Sequence, residues 1–329
     1  MAEISTPLCK KKVKRISELS TPVKIPASPL MKQIGFGTGV GVYLLERSSR
    51  EQSPWAIKKW MRKRSNEENF KRLQFEARIL RKLNHPNIVG FRGFMKGLDG
   101  KPCLAMEAIS SSLGEMIEKR KEMTDEPFPA KNIVKVGFEV AKGLEYLHHT
   151  AHILHGDIKS HNILVSPKFN IVKLCDFGHS LSLTPSLGED STGVTAYGGT
   201  LPWLPPEVIF DDEPVTSAAD IWPYGIVLWE MISLSVPHLG DLDTTENEDS
   251  KDDIDDSEVE SKYGTRPALP TIDLNLRKYK IVLQIFYMCT ETDYKLRPTA
   301  RALVKRFQDH LDSKKLARLS RRELTEEIQ

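Results

Sequence analysis

Cysteine is scarce in this sequence, and the few cysteines form no metal or disulfide pattern. Only four of the 329 residues are cysteine, at positions 9, 103, 175 and 289, with no Cys-x-x-Cys pair and no histidine at the spacing of a metal site. We therefore interpret them as reduced thiols and expect a reducing compartment. The predicted location is the cytoplasm, extending to the nucleus.

Long apolar runs and a strong net charge are also missing. The best apolar run, Ile281–Met288, is interrupted by Gln284 and is much shorter than a membrane span, and the lysine-rich start lacks the apolar stretch of a signal peptide. A net charge of +2 gives no electrostatic reason to expect nucleic acid or a membrane as a partner. With 40% hydrophobic and 28% charged residues, the composition predicts a globular protein with a sizeable core.

The small net charge conceals segments of opposite charge. Residues 1–30 combine lysines with three Ser/Thr-Pro pairs, at positions 6, 21 and 28, which predicts a disordered leader. Such pairs suit a proline-directed kinase, although proline is common in any disordered leader. Residues 240–261 are strongly acidic and predict a disordered surface loop. Docking of a basic partner is the better hypothesis for this loop, because it lacks the ligand spacing of a calcium site.

The richest chemistry lies in one stretch, His-Gly-Asp-Ile-Lys-Ser-His-Asn followed closely by Cys-Asp-Phe-Gly. Asp157 can accept a proton from an attacking hydroxyl, and Lys159 supplies positive charge for a moving phosphoryl group. Asn162 and Asp176 offer the hard oxygen ligands that Mg²⁺ prefers. The Asp-x-Lys-x-x-Asn spacing places a base and a metal ligand at the two ends of one loop, so that both can face one cleft. The stretch predicts phosphoryl transfer.

These motifs resemble the catalytic loop and DFG segment of the eukaryotic protein kinases, and the resemblance runs from about residue 31 to about residue 310. It implies an α+β, bilobal fold. Residues 31–107 would form a small lobe with an antiparallel β-sheet and one helix, and residues 108–310 a larger, mainly helical lobe. Residues 311–329 would be a charged tail. The motif His-Gly-Asp, together with Ile-Pro-Ala-Ser-Pro ahead of the glycines, resembles one branch of the family in particular.

The resemblance also implies ATP and Mg²⁺ as cofactors and assigns the site residues. Asp157 and Lys159 would be catalytic, and Asn162 and Asp176 would hold the metal. The residues assigned to the nucleotide are Ile34, Gly35, Phe36, Gly37, Thr38, Gly39, Val42, Ala56, Lys58, Glu76, Met106, Glu107 and Ala108.

Several of these residues have an ordinary structural alternative. A glycine-rich hairpin is more often just a turn, and here Val40 stands where the family has a third glycine. Lys58 alone could be a strand-edge lysine and Glu76 a solvated helix charge, so the expected ion pair between them carries the interpretation. Met106 is the implied gatekeeper of the adenine pocket, but methionine fills core gaps anywhere. The backbone of the two residues after it would bind the adenine edge.

The sequence departs from the family at positions that matter for regulation and substrate. Many kinases switched by phosphorylation carry arginine where this chain has Gly156, and glycine cannot grip a phosphate. Trp203 and Pro205 replace the commoner tyrosine and alanine, which puts the shape of the substrate groove in doubt. Thr200, with Asp157 and Lys159, is typical of serine/threonine kinases.

Periodicity predicts the scaffold of the larger lobe. Helices are expected over Leu113–Lys121, Ala130–His149, Leu276–Met288 and Thr299–Leu311. Pro223 suits only the first turn of a helix, so the central apolar helix should begin close to Asp220 or Ile221. The resemblance implies that Asp220 braces the catalytic loop and that Arg297 pairs with Glu207.

The predicted function is a serine/threonine protein kinase in mitotic or MAP-kinase-kinase-like signalling, acting on protein substrates. The resemblance favours Thr21 as a site for an upstream proline-directed kinase. Tyrosine activity, a catalytically silent scaffold and a kinase for a small metabolite stay open as alternatives. No PDZ partner is expected, because a PDZ domain captures an apolar last residue and this chain ends in Glu-Glu-Ile-Gln.

Overall fold

The computed structural model describes residues 25–26, 31–37, 40–46, 53–60, 67–184, 197–210, 214–238, 261–270 and 276–326. The three Ser/Thr-Pro pairs, Thr38 and Gly39 of the glycine-rich turn, residues 185–196 and most of the acidic run lie outside these residues.

The small lobe is a five-stranded antiparallel sheet with one helix against it. The strand order is β1-β2-β3-β5-β4. Alternation along the strands separates two faces: Leu104 and Met106 of β5 join the main core with Leu80 of the helix, while Cys103 and Ala105 belong to a second cluster on the outer face. The elements are β1 Lys32–Gly37, β2 Val40–Leu45, β3 Trp55–Trp60, helix α1 Glu67–Leu80, β4 Phe91–Lys96 and β5 Pro102–Glu107.

The larger lobe is mainly helical. Its first helix starts with a capping box, in which Ser112 and Glu115 each accept a hydrogen bond from the other's backbone N–H, at 3.1 and 3.4 Å. Described helices of this lobe are α2 Leu113–Met123, α3 Ala130–Tyr146, which ends in a π-type turn over Leu147–Ala151, α4 Pro206–Ile209, α5 Ala218–Ser233, α6 Leu276–Cys289 and α7 Ala300–Glu326. Together with the sheet, they confirm the predicted bilobal α+β fold.

Short strand pairs hold the loops of the site. One small sheet has the order β6-β8-β9 and another pairs β10 with β7. The catalytic loop connects β7 to β8, and the Cys-Asp-Phe-Gly segment leaves the end of β9. Because Ile163 of β8 pairs with Leu174 of β9, the loop before β8 and the segment after β9 lie at the same end of this small sheet. The strands are β6 Ser111–Ser112, β7 Ile153–Leu154, β8 Ile163–Val165, β9 Val172–Leu174 and β10 Leu181–Ser182.

The central helix α5 is apolar around its whole circumference and buried over almost its entire length, as expected of a helix in the middle of a core. It begins at Ala218, so the prediction of a start at Asp220 or Ile221 is wrong and Pro223 lies in the second turn. A proline there leaves the carbonyl of Ala219 without its helical donor. The hydroxyl of Tyr197 donates to that carbonyl at 3.4 Å, which partly compensates the loss.

Two segments that the sequence assigned to the flanks are ordered parts of the structure. Helix α7 continues to Glu326, well beyond the predicted end at Leu311, because the residues that follow are good helix formers with no glycine or proline. Ile25 and Pro26 pack against the small lobe, so the prediction of disorder does not hold for these two residues. Among the described residues, no helix has both the length and the hydropathy needed to cross a membrane.

Candidate active site

Asp220, at the start of α5, holds the catalytic loop by its backbone. Its carboxylate accepts hydrogen bonds from the N–H groups of His155 and Gly156 at 2.8 and 3.0 Å, and it lies 2.8 Å from the ring Nε2 of His148. Burial works against the ionised carboxylate, yet these hydrogen bonds outweigh it and lower the pKa of Asp220. The carboxylate therefore acts as a buried, charged clamp on the loop, as the resemblance implied.

Asp157, Lys159 and Thr200 form a tight polar triangle. The Thr200 hydroxyl donates to Asp157 Oδ1 at 2.7 Å, and the Lys159 ammonium lies 2.6 Å from the Thr200 hydroxyl and 3.0 Å from Asp157 Oδ2. Asn162 donates its amide N–H to Asp157 Oδ2 at 2.8 Å and to the Asp157 carbonyl at 2.7 Å. The carboxylate is thus held in one orientation with a hydroxyl and a cation against it.

Lys58 stands between two carboxylates. Its ammonium lies 2.8 Å from Glu76 Oε2, the expected partner, and 2.9 Å from Asp176 Oδ1, which sequence reasoning had assigned to metal alone. Burial works against the ammonium, but Asp176 and Glu76 outweigh it and raise the pKa of Lys58. Burial of the Glu76 side chain, which is 2% exposed, raises its pKa to about 7 against the pull of Lys58. Partial burial works against the ionised Asp176 carboxylate, but Lys58 outweighs it and lowers the pKa of that carboxyl.

The residues expected to contact the nucleotide share one face of the sheet. Register pairs Val42 with Lys58 on β3, and Ala56 with Met106 on β5, so their side chains point to the side on which Glu76 and Asp176 lie. Ile34, Gly35, Phe36 and Gly37 belong to β1, and Gly35 pairs with Val42. Thr38 and Gly39 fall outside the described residues.

Part of the backbone after Met106 is already hydrogen-bonded within the protein. The N–H of Glu107 donates to the Gly90 carbonyl at 2.8 Å, and its carboxylate pairs with Lys173 at 2.9 Å. Glu107 can therefore offer an adenine ring its carbonyl but not its N–H, and Ala108 follows it outside the strand. Met106 itself belongs to the main core, so the gatekeeper and core-filler interpretations both fit its position.

The oxygen atoms of Asn162 and Asp176 suit a Mg²⁺ ion that takes its other ligands from phosphate and water, rather than a metal held by protein ligands alone. Because Asn162 uses its amide nitrogen for Asp157, its amide oxygen is the atom available to a cation. Asp176 faces the cleft with a side chain that is 37% exposed. Within the described residues no group of three or more His, Cys, Asp or Glu side chains could hold a metal. Two hard oxygen ligands with further positions left for phosphate and water are what Mg²⁺ takes.

Gly156 has a backbone conformation that only glycine adopts readily. Its φ is +80°, and a Cβ there would lie closer than 3.0 Å to the carbonyl oxygen of His179, a separation that real Cβ atoms essentially never show. Gly198 is equally tight against the His179 ring. The start of the activation segment thus packs directly on the catalytic loop. Sequence reasoning missed His179 and Gly198, since nothing in their local sequence signals this contact.

Glu230 is a third residue that sequence reasoning missed. Its buried carboxylate accepts a hydrogen bond from the Ser160 hydroxyl at 2.6 Å and from the Trp203 indole N–H at 2.9 Å. Burial raises the pKa of Glu230 to about 7 against these bonds. Through Glu230, the Trp203 indole therefore ties the predicted substrate segment to the catalytic loop. Nearby, Arg297 pairs with Glu207 through two bonds of 2.7 Å, as expected.

Known proteins resemble the chain over this whole region. A family model described as "Protein kinase domain" matches residues 29–307. The human lymphokine-activated killer T-cell-originated protein kinase is 42% identical over 297 residues, which cover 87% of this chain and 91% of that protein. The mitogen-activated protein kinase kinase kinase zak-1 of Caenorhabditis elegans is 36% identical over 173 residues, covering 50% of this chain and 22% of that protein. The probable serine/threonine-protein kinase SIS8 of Arabidopsis thaliana is 32% identical over 208 residues, covering 63% and 19%.

Proposed function

Because the chain belongs to the protein kinase family, we propose that it transfers the γ-phosphoryl group of ATP to serine and threonine hydroxyls of protein substrates. The single observation that carries the proposal is the triangle of Asp157, Lys159 and Thr200, in which a carboxylate, an ammonium and a hydroxyl are within 3.0 Å of one another. The same groups are needed to orient an attacking hydroxyl and to stabilise the charge that moves between oxygens.

Each residue of the site has a role in this proposal. Asp157 orients the substrate hydroxyl and takes its proton, and Lys159 stabilises the transferring group. Asn162 and Asp176 are the residues that would hold Mg²⁺. Bound Mg-ATP supplies the phosphoryl group and neutralises part of its charge.

The remaining site residues serve nucleotide binding in the proposal. Lys58, aligned by Glu76, contacts the phosphates, and the glycine-rich β1–β2 turn covers them. The backbone of Glu107 and Ala108 would bind the adenine edge. The resemblance supports these assignments, and so does the strand register that pairs Val42 with Lys58 and Ala56 with Met106.

Serine and threonine are the proposed acceptors because of Lys159 and its contact with Thr200. In the family, tyrosine kinases usually carry arginine or alanine in place of this lysine. We further propose a role in mitotic or MAP-kinase-kinase-like signalling, with Thr21 as a target of an upstream proline-directed kinase and a cytoplasmic and nuclear location. The support for the signalling role is the name of the nematode relative, a mitogen-activated protein kinase kinase kinase.

A set of matched peptides tests the acceptor. Three peptides that differ only in carrying serine, threonine or tyrosine at one position are incubated with the full chain and labelled ATP. The Asp157→Ala variant serves as the inactive reference and Asp309→Ala, at an exposed position of α7, as the matched control. We expect labelling of the serine and threonine peptides by the wild type and the control. Equal labelling of the tyrosine peptide would overturn the serine/threonine assignment, and no labelling of any peptide would favour the scaffold alternative.

A further inference from the structure

Lys59 is an unusual neighbour for the catalytic Lys58. Because side chains alternate along a strand, Lys58 points to the site and Lys59 points to the outer face of the sheet. The Lys59 side chain is 0% exposed, yet it carries an ammonium. A buried charge is costly unless it is paired and hydrogen-bonded. The groups that pair with the Lys59 ammonium therefore show which contacts the outer face needs in order to hold this buried charge.

One partner belongs to the sheet and the other does not. Asp99, in the turn between β4 and β5, lies 3.2 Å from the ammonium. The second acceptor is the carbonyl of Pro26, at 2.8 Å. Pro26 lies 33 residues ahead of Lys59 in the sequence, so a residue remote along the chain completes this site.

The residue before Pro26 is held just as firmly. The Ile25 side chain is 1% exposed and packs in what we call the outer-face cluster. Its carbonyl accepts a hydrogen bond from the backbone N–H of Leu98 at 3.0 Å. Its partners in the outer-face cluster are Leu45, Trp55, Ile57, Cys103 and Ala105.

We propose that Ile25 and Pro26 form an intramolecular strap that docks on the outer face of the sheet and, through Lys59, fixes the position of Lys58. The occupant of this face is the chain's own Ile25 and Pro26, because an apolar side chain, a backbone hydrogen bond and an ammonium contact hold them there. Strand β3 is thereby held from both sides, by Glu76 and Asp176 at Lys58 and by Asp99 and Pro26 at Lys59. The inference rests on the proposed function and deepens it, since it gives Ile25 and Pro26 a positioning role in nucleotide binding.

Hydrogen exchange tests the docking without reference to activity. The Leu98 side chain is exposed in a surface turn, so its amide has no reason to be protected except the bond to Ile25. In the full wild-type chain we expect this amide to exchange more slowly than an open turn, and in Ile25→Asp to exchange at least about tenfold faster. The Gly100 amide, which donates to Gly97 within the turn, is the internal control. A Leu98 amide that exchanges at the unprotected rate in the wild type would refute the strap.

Nucleotide binding tests the positioning role. ATP affinity is measured by calorimetry for Ile25→Asp and Lys59→Met, with Lys96→Met as the control because that lysine is exposed on the same sheet. Both strap variants should weaken ATP binding about tenfold, the size of effect expected of residues that act on a ligand only through another side chain. In steady-state assays the KM for ATP should rise while the KM for a peptide substrate stays within about twofold. The conservative variant Ile25→Leu should keep the wild-type ATP affinity and KM values.

The arms separate failure of the strap from failure of the proposed kinase activity. Lys59→Met keeps an apolar stem of similar length, so it remains informative if Ile25→Asp does not fold. Unchanged ATP affinity in both variants, with a lower melting temperature alone, would show a structural patch without a positioning role and overturn the proposal. A wild-type chain that binds ATP with the strap dependence described, but transfers no phosphate, would reject the proposed function and leave the strap standing.

Discussion

Substituting Gly156 by alanine should damage the site more than its position on a loop suggests. Many kinases carry arginine here, so a larger residue could be expected to be harmless or even beneficial. In this chain the φ of +80° and the nearby His179 carbonyl both oppose any Cβ. We expect Gly156→Ala to destabilise the catalytic loop and to slow phosphoryl transfer, and Gly156→Arg to do the same.

The magnitude follows from two contributions. An L-residue with positive φ costs about 1–2 kcal/mol. The contact with His179 must be relieved by a movement of roughly 1 Å to regain van der Waals separation, with strain of about 1–3 kcal/mol. The free energy of unfolding should therefore fall by about 3 kcal/mol. Since the displaced backbone lies next to Asp157, the transfer rate should fall by up to about a hundredfold.

A second glycine separates the two contributions. Gly100 has a φ of +73°, but no atom lies within 4 Å of the position that a Cβ would take there, so Gly100→Ala carries only the conformational penalty. Urea unfolding and steady-state kinetics with one peptide substrate are measured for both variants. Gly156→Ala should be the less stable by about 1–3 kcal/mol and the only one with a reduced kcat. Equal stability and wild-type kcat in both variants would refute the reasoning.

Three further substitutions test other contacts. Arg297→Met leaves the buried carboxylate of Glu207 unpaired and should lower the free energy of unfolding in urea by about 3–5 kcal/mol. Arg301→Met, at an exposed ion pair, should lower it by less than about 1 kcal/mol. Similar losses in the two variants would contradict the account. Glu230→Gln tests a buried carboxyl whose pKa is raised from 4.5 to about 7, so its contribution to stability is complete below pH 4.5 and is lost as the pH rises through 7. Between pH 5 and 8 the free energy of unfolding of the wild type should therefore fall by about 2 to 3 kcal/mol more than that of the variant. Parallel pH curves would reject this. Thr200→Val removes the hydroxyl between Lys159 and Asp157 and should lower kcat/KM about tenfold to a hundredfold at unchanged melting temperature; unchanged kinetics would exclude a role for that hydroxyl.

Most of the fold and the charged part of the site could be predicted from the sequence. The motifs around Asp157 and Asp176 have a fixed spacing because two loops must present their side chains to one cleft. The Lys58–Glu76 and Arg297–Glu207 pairs were expected from the resemblance, and each lies at 2.8 Å or less. Helical periodicity located α2, α3 and α6 to within a few residues of their ends.

Contacts that depend on backbone geometry could not be predicted. Neither the positive φ of Gly156 nor its packing on His179 has a sequence pattern, because both arise when two loops meet. Polar composition suggested disorder for residues 1–30, yet Ile25 docks because the outer face of the sheet offers an apolar cluster. The start of α5 was misplaced because the penalty for Pro223 was weighed without the compensating contact of Tyr197.

The most direct test of the central claim is the rate of phosphoryl transfer in a single turnover, compared between the wild type and Asp157→Asn, with Asp309→Asn as control. Asparagine keeps the shape of the side chain but cannot take a proton, so ATP affinity should stay unchanged while the transfer rate falls by about two to four orders of magnitude. A rate for Asp157→Asn equal to that of the wild type would contradict the account, because the carboxylate at the centre of the site would then have no part in the chemistry.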